Sequence, residues 1–251
     1  MADITVRVEG RGELTLPEGS TAGDLAHRIA PDLPSWPVIA VVDGEERDLA
    51  TPLPDGATVR IVTADEERGL YTIRHSTAHV LAQAVLDLFP GATFAIGPPI
   101  EDGFYYDFQL PDGRTFTPED LVRIEERMRE IVAEAQPFLR EEIPEDEALR
   151  LFDDHPFKKE IIKGAADDPM SSTEGGRVRT YRNPPRFVDV CRGPHVPNTG
   201  VLGHFKLLKT AGAYWRGGRA ESDASTHLRH GVGQPRTPGG SPTTPGRGGT
   251  S

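Results

Sequence analysis

Short runs of alternating apolar and polar residues dominate the first 64 positions. Residues 4–8 and 13–16 alternate with a period of two on either side of a glycine-containing turn, which predicts a β-hairpin. Thr21, followed by a carboxylate three residues later, predicts the capped start of a short helix. Further apolar runs predict additional strands. A hairpin, a helix and more strands favour a β-grasp domain over residues 1–64, and a generic α+β unit also fits this pattern.

A charged link over residues 65–68 precedes segments of mixed periodicity. Residues 76–89 carry apolar side chains at helical spacing and end at Pro-Gly, which predicts a helix. Residues 103–110 and 114–117 flank a Pro-Asp-Gly turn and predict a second hairpin. The strongest helix signal begins at Thr117, where a capping side chain precedes proline and two acidic residues.

The remaining periodic segments are shorter. Residues 145–152 predict a helix, and residues 187–190 and 204–215 predict strands. Helices and strands thus alternate irregularly over residues 65–217. We therefore expect an α+β fold in which a larger α+β domain follows the β-grasp domain.

The carboxyl-terminal segment, residues 218–251, has a different composition. Its 34 residues include 8 glycines and 4 prolines, and Leu228 and Val232 are its only large aliphatic residues. Such a segment buries too little apolar surface to offset the entropy lost on ordering. The sequence predicts a disordered tail.

Composition and charge exclude several classes of protein. The chain has 251 residues, a formal charge of −11 and one cysteine, Cys191, so a disulfide-stapled scaffold is excluded. The first residues contain no basic stretch followed by an apolar one, so we expect neither a signal peptide nor a membrane span, and a cytoplasmic location. Net acidity disfavours coating of DNA, whereas a local basic face remains compatible with RNA binding.

Two spaced pairs of residues carry candidate chemistry. His75 and His79 are one helical turn apart, and Cys191 and His195 flank a Gly-Pro loop. Three histidines and a cysteine match a zinc ligand set, and they also match a polar site that activates water without a metal. Either pair alone is more often an ordinary surface or core feature. The combination favours a functional site.

Four longer segments carry a family resemblance. They are RHSTAHVL from residue 74, AIGPPIEDGFYYD from residue 95, VDVCRGPHVPN from residue 188 and HFKLLKTAGAYWRG from residue 204. In this order they closely resemble bacterial threonyl-tRNA synthetases over residues 1–217. The resemblance implies a TGS domain over 1–64 and, over 65–217, an editing domain of the kind shared with alanyl-tRNA editing proteins. It also implies hydrolysis of threonine tRNA mischarged with serine.

The resemblance assigns site residues position by position. Those implied to be catalytic are His75, His79, Lys158, Asp189, Cys191 and His195. His75 is the candidate base for an attacking water, which predicts a rate that rises near an imidazole pKa of about 6.5. Lys158 would stabilise oxyanion charge or the leaving ribose hydroxyl. Cys191 as nucleophile is an alternative that no His–Asn partner order supports. Zinc on the two His/Cys pairs is implied by the alanyl editing relatives and not required for the proposed hydrolysis.

The predicted partner is the acceptor end of threonine tRNA, with no role for DNA or a membrane. Its predicted phosphate contacts are Arg74, Lys206, Lys209 and Arg216, for which ordinary solvated charge is the alternative. The sequence contains no motif for ATP or adenylate binding, so ligase activity is not expected from it. Two rival functions stay open: a non-catalytic tRNA-binding remnant, and a free-standing zinc hydrolase acting on small substrates.

The tail also admits an explanation in the coding DNA. Codons that are legal for residues 218–233, read one base later, encode DERNPMLQRIYGTAW. That run continues the family pattern, in which Tyr-Trp-Arg-Gly is followed by a segment ending LQRIYGTAW. We therefore expect one extra base just after the Gly217 codon, from a sequencing error or a true frameshift, and an out-of-frame tail.

Overall fold

The computed structural model describes residues 2–95, 97, 99–100, 103–164, 172–213 and 223–229, with side chains through residue 208. The first 63 residues contain a five-stranded sheet and a helix. Its elements are β1 (Asp3–Val8), β2 (Gly12–Pro17), α1 (Ala22–Arg28), β3 (Pro37–Val42), β4 (Glu45–Arg47) and β5 (Thr58–Thr63). The strand order is β2-β1-β5-β3-β4, with β1 and β5 parallel and the other pairs antiparallel. This arrangement confirms the predicted β-grasp fold.

Local sequence explains these elements. Alternate residues of β1, namely Ile4, Val6 and Val8, are buried against α1 and its neighbours. The Thr21 side chain accepts the backbone N–H of Asp24, and the Asp24 carboxylate accepts the backbone N–H of Thr21, which forms a capping box at the start of α1. The predicted helix start is therefore confirmed.

Among its described residues, the second domain contains four α-helices and two further sheets. Its helices are α2 (Glu67–Leu88), α3 (Pro118–Ala133), α4 (Glu145–Leu151) and α5 (Pro156–Ile162). Its strands are β6 (Thr93–Phe94), β7 (Pro99–Ile100), β8 (Gly103–Gln109), β9 (Leu139–Pro144), β10 (Thr173–Glu174), β11 (Arg177–Asn183), β12 (Phe187–Val190), β13 (Lys206–Ala213) and β14 (Asp223–Arg229). One sheet has β11 paired with β9, β10 and β12, and the other has the order β13-β14-β8-β6 with β7 also on β8.

Helix α2 joins the two domains. It begins nine residues before the predicted start, because the charged link supplies acidic residues that suit the positive end of a helix. Gly69 lies so close to the end of β5 that a Cβ there would be 2.0 Å from the Thr63 carbonyl oxygen. Val38, Ile39 and Val62 of the first sheet share one apolar core with the buried face of α2. The two domains are therefore packed against each other.

The predicted hairpin over 103–117 does not form. Residues 114–117 are not a strand, and β8 pairs instead with β6, β7 and β14. The residues after the turn lead into α3. Phe116 is buried against Phe89 and Phe108, and Thr117 caps the helix. Packing and capping thus override the local alternation.

The predicted disorder of 218–251 differs from the structure over seven residues. Residues Asp223–Arg229 form β14, which pairs antiparallel with β8 on one edge and β13 on the other. Main-chain hydrogen bonds on both edges do not require apolar side chains, so composition alone does not detect such a strand. The other residues of 218–251 lie outside the described residues.

Among the helices of the described residues, none is long and apolar enough to cross a membrane.

Candidate functional site

Helix α2 presents two histidines on its buried side. His75 and His79 are one turn apart, and their ring centroids are separated by 5.1 Å. His79 is 3% exposed and His75 is partly exposed, and both line a cavity. The helix therefore places one imidazole at the solvent-facing side of the site and one beneath it.

The loop after β12 meets this helix. Cys191 follows directly on the strand, and its Sγ lies 3.2 Å from Nε2 of His75 and 3.4 Å from Nε2 of His195. The backbone N–H of Gly193 donates to the same sulfur at 3.2 Å. The fold thus brings together two pairs that are more than a hundred residues apart in the chain.

Ser76 determines which nitrogen of His195 carries hydrogen. Its Oγ lies 2.8 Å from the Thr72 carbonyl, which can only accept, so the hydroxyl donates there. The 3.0 Å contact with Nδ1 of His195 must then be donated by the imidazole, and the backbone N–H of Val196 donates to the same Oγ at 3.2 Å. Consequently Nε2 of His195 presents a lone pair to the thiol of Cys191.

A buried ion pair lies next to the histidines. Lys158 of α5 places Nζ 2.5 Å from Oδ1 of Asp189, and both side chains are 2% exposed. The hydroxyl of Tyr106 donates to the other carboxylate oxygen at 2.6 Å. Nε2 of His79 is 3.6 Å from the same oxygen. Lys159, the neighbouring lysine, instead pairs with exposed Asp153 at the surface.

Burial sets the protonation of the four His and Cys side chains. It lowers the pKa of His75 to about 4, with a smaller contribution from the positive charges of Arg68 and Lys158. It also lowers the pKa values of His79 and His195 well below the usual value. Burial raises the pKa of the Cys191 thiol. At neutral pH the imidazoles are therefore uncharged and the cysteine is a thiol, which disfavours the thiolate nucleophile.

The site opens into a cavity of about 320 Å³. Lining residues include His75, His79, Lys158, Asp189 and Cys191, together with Arg68, Tyr71, Tyr106 and Ser172. The cavity therefore exposes neutral imidazole, a cationic ammonium group and hydrogen-bonding hydroxyls to one small ligand.

The four His and Cys residues also fit a zinc ion in ligand type. Each offers one ligand atom, and all four atoms lie within 4.8 Å of one another. Ligand atoms of a tetrahedral zinc site are about 3.3–3.6 Å apart, so the widest pair would have to close by about 1 Å. His75, His79, Cys191 and His195 would hold the ion, and with all four bound its tetrahedral shell would be closed, so Lewis-acid polarisation of a carbonyl would require one of these ligands to leave the metal.

Only two of the four predicted phosphate contacts, Arg74 and Lys206, have side chains among the described residues. Arg74 is half-buried, and its Nη1 is 3.5 Å from the Ile100 carbonyl. The exposed ammonium group of Lys206 pairs with Glu125 at 3.1 Å. The backbone of Lys209 lies in β13, and Arg216 lies outside the described residues. Their role in tRNA binding stays a proposal.

Sequence reasoning missed three residues of the site. Tyr106 lies in the quoted aromatic motif, and the alternation of β8 puts it on the inward face beside Phe104 and Phe108. An inward tyrosine needs a partner for its hydroxyl, which is the signal that could have identified it. Ser76 lies between the two histidines. Tyr181, whose ring meets the imidazole of His195 edge-on at 4.5 Å, carries no sequence signal.

Comparisons with known proteins agree with this architecture. The profile of the TGS domain matches residues 7–63, and that of the threonyl and alanyl tRNA synthetase second additional domain matches residues 178–229. The chain is 48% identical over 213 residues to a threonine–tRNA ligase of Rubrobacter xylanophilus and 45% identical over 217 residues to one of Maricaulis maris. Each alignment covers 85% of this chain and 32% of the relative. A ligase of Acidithiobacillus ferrooxidans is 47% identical over 216 residues.

These matches define a chain in which a TGS domain precedes a second additional domain of the threonyl and alanyl tRNA synthetase type. More particularly, the chain corresponds to an amino-terminal part of threonine–tRNA ligase. It spans about a third of the length of the relatives it matches.

Proposed function

We propose that residues 65–217 form an editing domain that hydrolyses threonine tRNA wrongly charged with serine. Water adds to the ester carbonyl, the bond to the ribose oxygen breaks, and free serine and tRNA with a free ribose hydroxyl are released. The observation that carries this proposal is the convergence of His75, Cys191 and the Lys158–Asp189 pair on one cavity, with His195 in contact with the Cys191 sulfur behind it. The TGS-type domain and the threonine–tRNA ligase relatives support tRNA as the substrate.

The roles follow from the charges of the side chains. His75 is neutral and lines the cavity, so it can accept the proton of the attacking water. Lys158 lines the same cavity and supplies the positive charge near which an oxyanion or departing ribose oxygen would be stabilised. Asp189 and Tyr106 orient the ammonium group. His79 and His195 pack around His75 and hold its ring in place.

The acceptor end of threonine tRNA is the proposed partner, with Arg74, Lys206, Lys209 and Arg216 as proposed phosphate contacts. ATP takes no part in this hydrolysis, and we propose that it needs no cofactor. Since ribosomes consume aminoacyl-tRNA, we place the activity in the cytoplasm.

Deacylation of serine-charged threonine tRNA by the purified chain tests the proposal. We expect release of serine at a rate well above that without protein, and little release of threonine from correctly charged tRNA. Replacement of His75 by alanine should abolish most of the rate, whereas replacement of Glu67 by glutamine is the control on the same helix, because Glu67 is exposed and does not line the cavity. Binding of uncharged tRNA without any deacylation would instead support the tRNA-binding remnant.

A further inference from the structure

One side chain of the amino-terminal domain reaches the site in the second domain. Asp48 follows β4, and its carboxylate is buried against the loop that carries Cys191 and His195. Its Oδ1 accepts the backbone N–H of His195 at 2.8 Å, and its Oδ2 accepts the hydroxyl of Tyr181 at 2.7 Å. Both carboxylate oxygens are therefore committed to residues around the catalytic loop.

Tyr181 connects the Asp48 carboxylate to the Cys191–His195 loop by a second route, in addition to the His195 N–H. Its hydroxyl packs so closely on Gly193 that a Cβ there would lie 2.0 Å from it, and Gly193 has a φ of +67°. The Tyr181 ring also meets the imidazole of His195 edge-on at 4.5 Å, while Phe138 stacks on the same imidazole at 4.6 Å. The loop conformation thus depends on a hydroxyl that Asp48 holds.

Strand β4, which directly precedes Asp48, contacts the rim of the cavity. Glu46 of β4 forms an ion pair with Arg68, whose guanidinium group lies 4.3 Å from the ring centroid of Tyr71. Arg68 and Tyr71 both line the cavity. Glu46 therefore contacts the site at its rim, and Asp48 contacts it behind the Cys191 loop.

Energetics argue that Asp48 does more than fill space. A carboxylate that is only 9% exposed carries a substantial desolvation cost, which an apolar residue of similar volume would not incur. The cost is offset here by two hydrogen bonds that fix a backbone N–H and a phenol. What the carboxylate adds over an apolar residue is the exact position of the loop.

We infer that Asp48 is a positioning residue for the editing site. Its carboxylate holds His195, and His195 in turn contacts the Cys191 thiol beside His75. The amino-terminal domain thereby completes the site. This inference rests on the proposed editing function. Asp48 touches no reacting atom, so its effect should appear in kcat for the serine ester and leave KM nearly unchanged.

Three variants test this role. Asp48→Ala removes both acceptors, whereas Asp48→Asn keeps an oxygen for the His195 N–H and offers an amide N–H to the Tyr181 hydroxyl. Asp43→Asn is the matched control, because Asp43 is an exposed acid of the same domain that accepts the Thr58 N–H. Removal of a residue that orients a functional side chain through a hydrogen bond typically lowers activity about 10–100-fold. We expect kcat of Asp48→Ala to fall at least about 10-fold. The kcat of Asp48→Asn should stay within about 3-fold of the wild-type value. The kcat of Asp43→Asn should not change.

Alkylation of the thiol gives a readout that does not depend on activity. Cys191 is the only cysteine, so iodoacetamide reports on this loop alone. All rates are measured at a temperature where circular dichroism shows each variant to be folded. We expect Asp48→Ala to raise the alkylation rate at least about 10-fold, since the buried thiol loses its fixed surroundings, with partial rescue by Asp48→Asn.

The outcomes separate the inference from the proposed function. Equal kcat and equal alkylation rates in folded Asp48→Ala and wild type overturn the positioning role even when wild type deacylates. A wild-type chain that does not deacylate overturns the editing function, and the alkylation rates then decide the positioning role by themselves.

Discussion

The ammonium group of Lys158 lies 2.5 Å from Oδ1 of Asp189, and both side chains are 2% exposed. Tyr106 donates to the second oxygen of the same carboxylate. The two side chains of a buried ion pair stabilise each other, because burial of either charge alone would carry an uncompensated desolvation cost. It presents a fixed positive charge to the cavity that His75 lines.

Replacing Lys158 by alanine should remove most deacylation of the serine ester. It should also lower the free energy of unfolding by about 3–5 kcal/mol, because Asp189 would be buried without its cation. Lys159→Ala is the control, since Lys159 pairs at the surface with exposed Asp153, and it should change neither quantity appreciably. Denaturant unfolding and single-turnover deacylation measure both.

The double variant Lys158→Ala, Asp189→Asn separates stability from catalysis. Neutralising the carboxylate removes the unpaired buried charge, so much of the lost stability should return while the activity stays low. Return of the activity in this variant would show that Lys158 acts only on folding.

The pH profile of deacylation should be level from about pH 5.5 to pH 8. The sequence alone predicts a rise near pH 6.5, but burial lowers the pKa of His75 to about 4, so the imidazole stays neutral over that range. The rate should fall only as the pH approaches 4. A midpoint near 6.5 would show that His75 is not the base or is solvated during the reaction.

Acidification should destabilise the fold in the window between the two pKa values of His75. The unfolded imidazole gains a proton below about pH 6.5, whereas the folded one does so only near 4. The unfolded state therefore binds more protons in this window, and the free energy of unfolding should decrease as the pH falls from about 6.5 to 4. Urea unfolding in that range measures the slope, and His75→Gln should reduce it.

The serine ester should be hydrolysed at least about 10-fold faster than the threonine ester. A site that binds threonine gains only about 1–3 kcal/mol from one methyl group, so discrimination requires a second site that rejects the larger residue. ATP should have no effect. Equal single-turnover rates on both esters, measured with the same tRNA preparation, would contradict the editing proposal.

Deacylation should survive removal of divalent metal. The neutral imidazoles and the Lys158 charge supply base and electrostatic stabilisation by themselves. The chain is treated with a chelator, its zinc content is measured, and the rate is compared before and after. Loss of the rate on chelation and its return with one zinc per chain would contradict this expectation.

Resequencing of the coding DNA should reveal one extra base after the Gly217 codon. Removal of that base should open a frame that reads DERNPMLQRIYGTAW and continues beyond it. An unchanged sequence in which no other frame encodes this run would exclude the frameshift.

The sequence by itself determined the capped helix starts, the strands of the amino-terminal sheet and the residue types of the candidate site. Capping residues fix the starts of α1 and α3, and alternation fixes the strands of the amino-terminal sheet, because these signals involve neighbours within a few residues. The spaced His and Cys pairs predicted the candidate site because their residue types are rare in the chain.

Only the tertiary structure decided what surrounds those pairs. The sequence did not predict that β8 pairs with β14, that Tyr106 meets Asp189 or that Asp48 crosses from the first domain to His195. These contacts join residues 83 to 147 positions apart, and no local pattern records them. The pKa of His75 also depends on burial, which results from packing of the whole domain and not from the residues next to it in the chain.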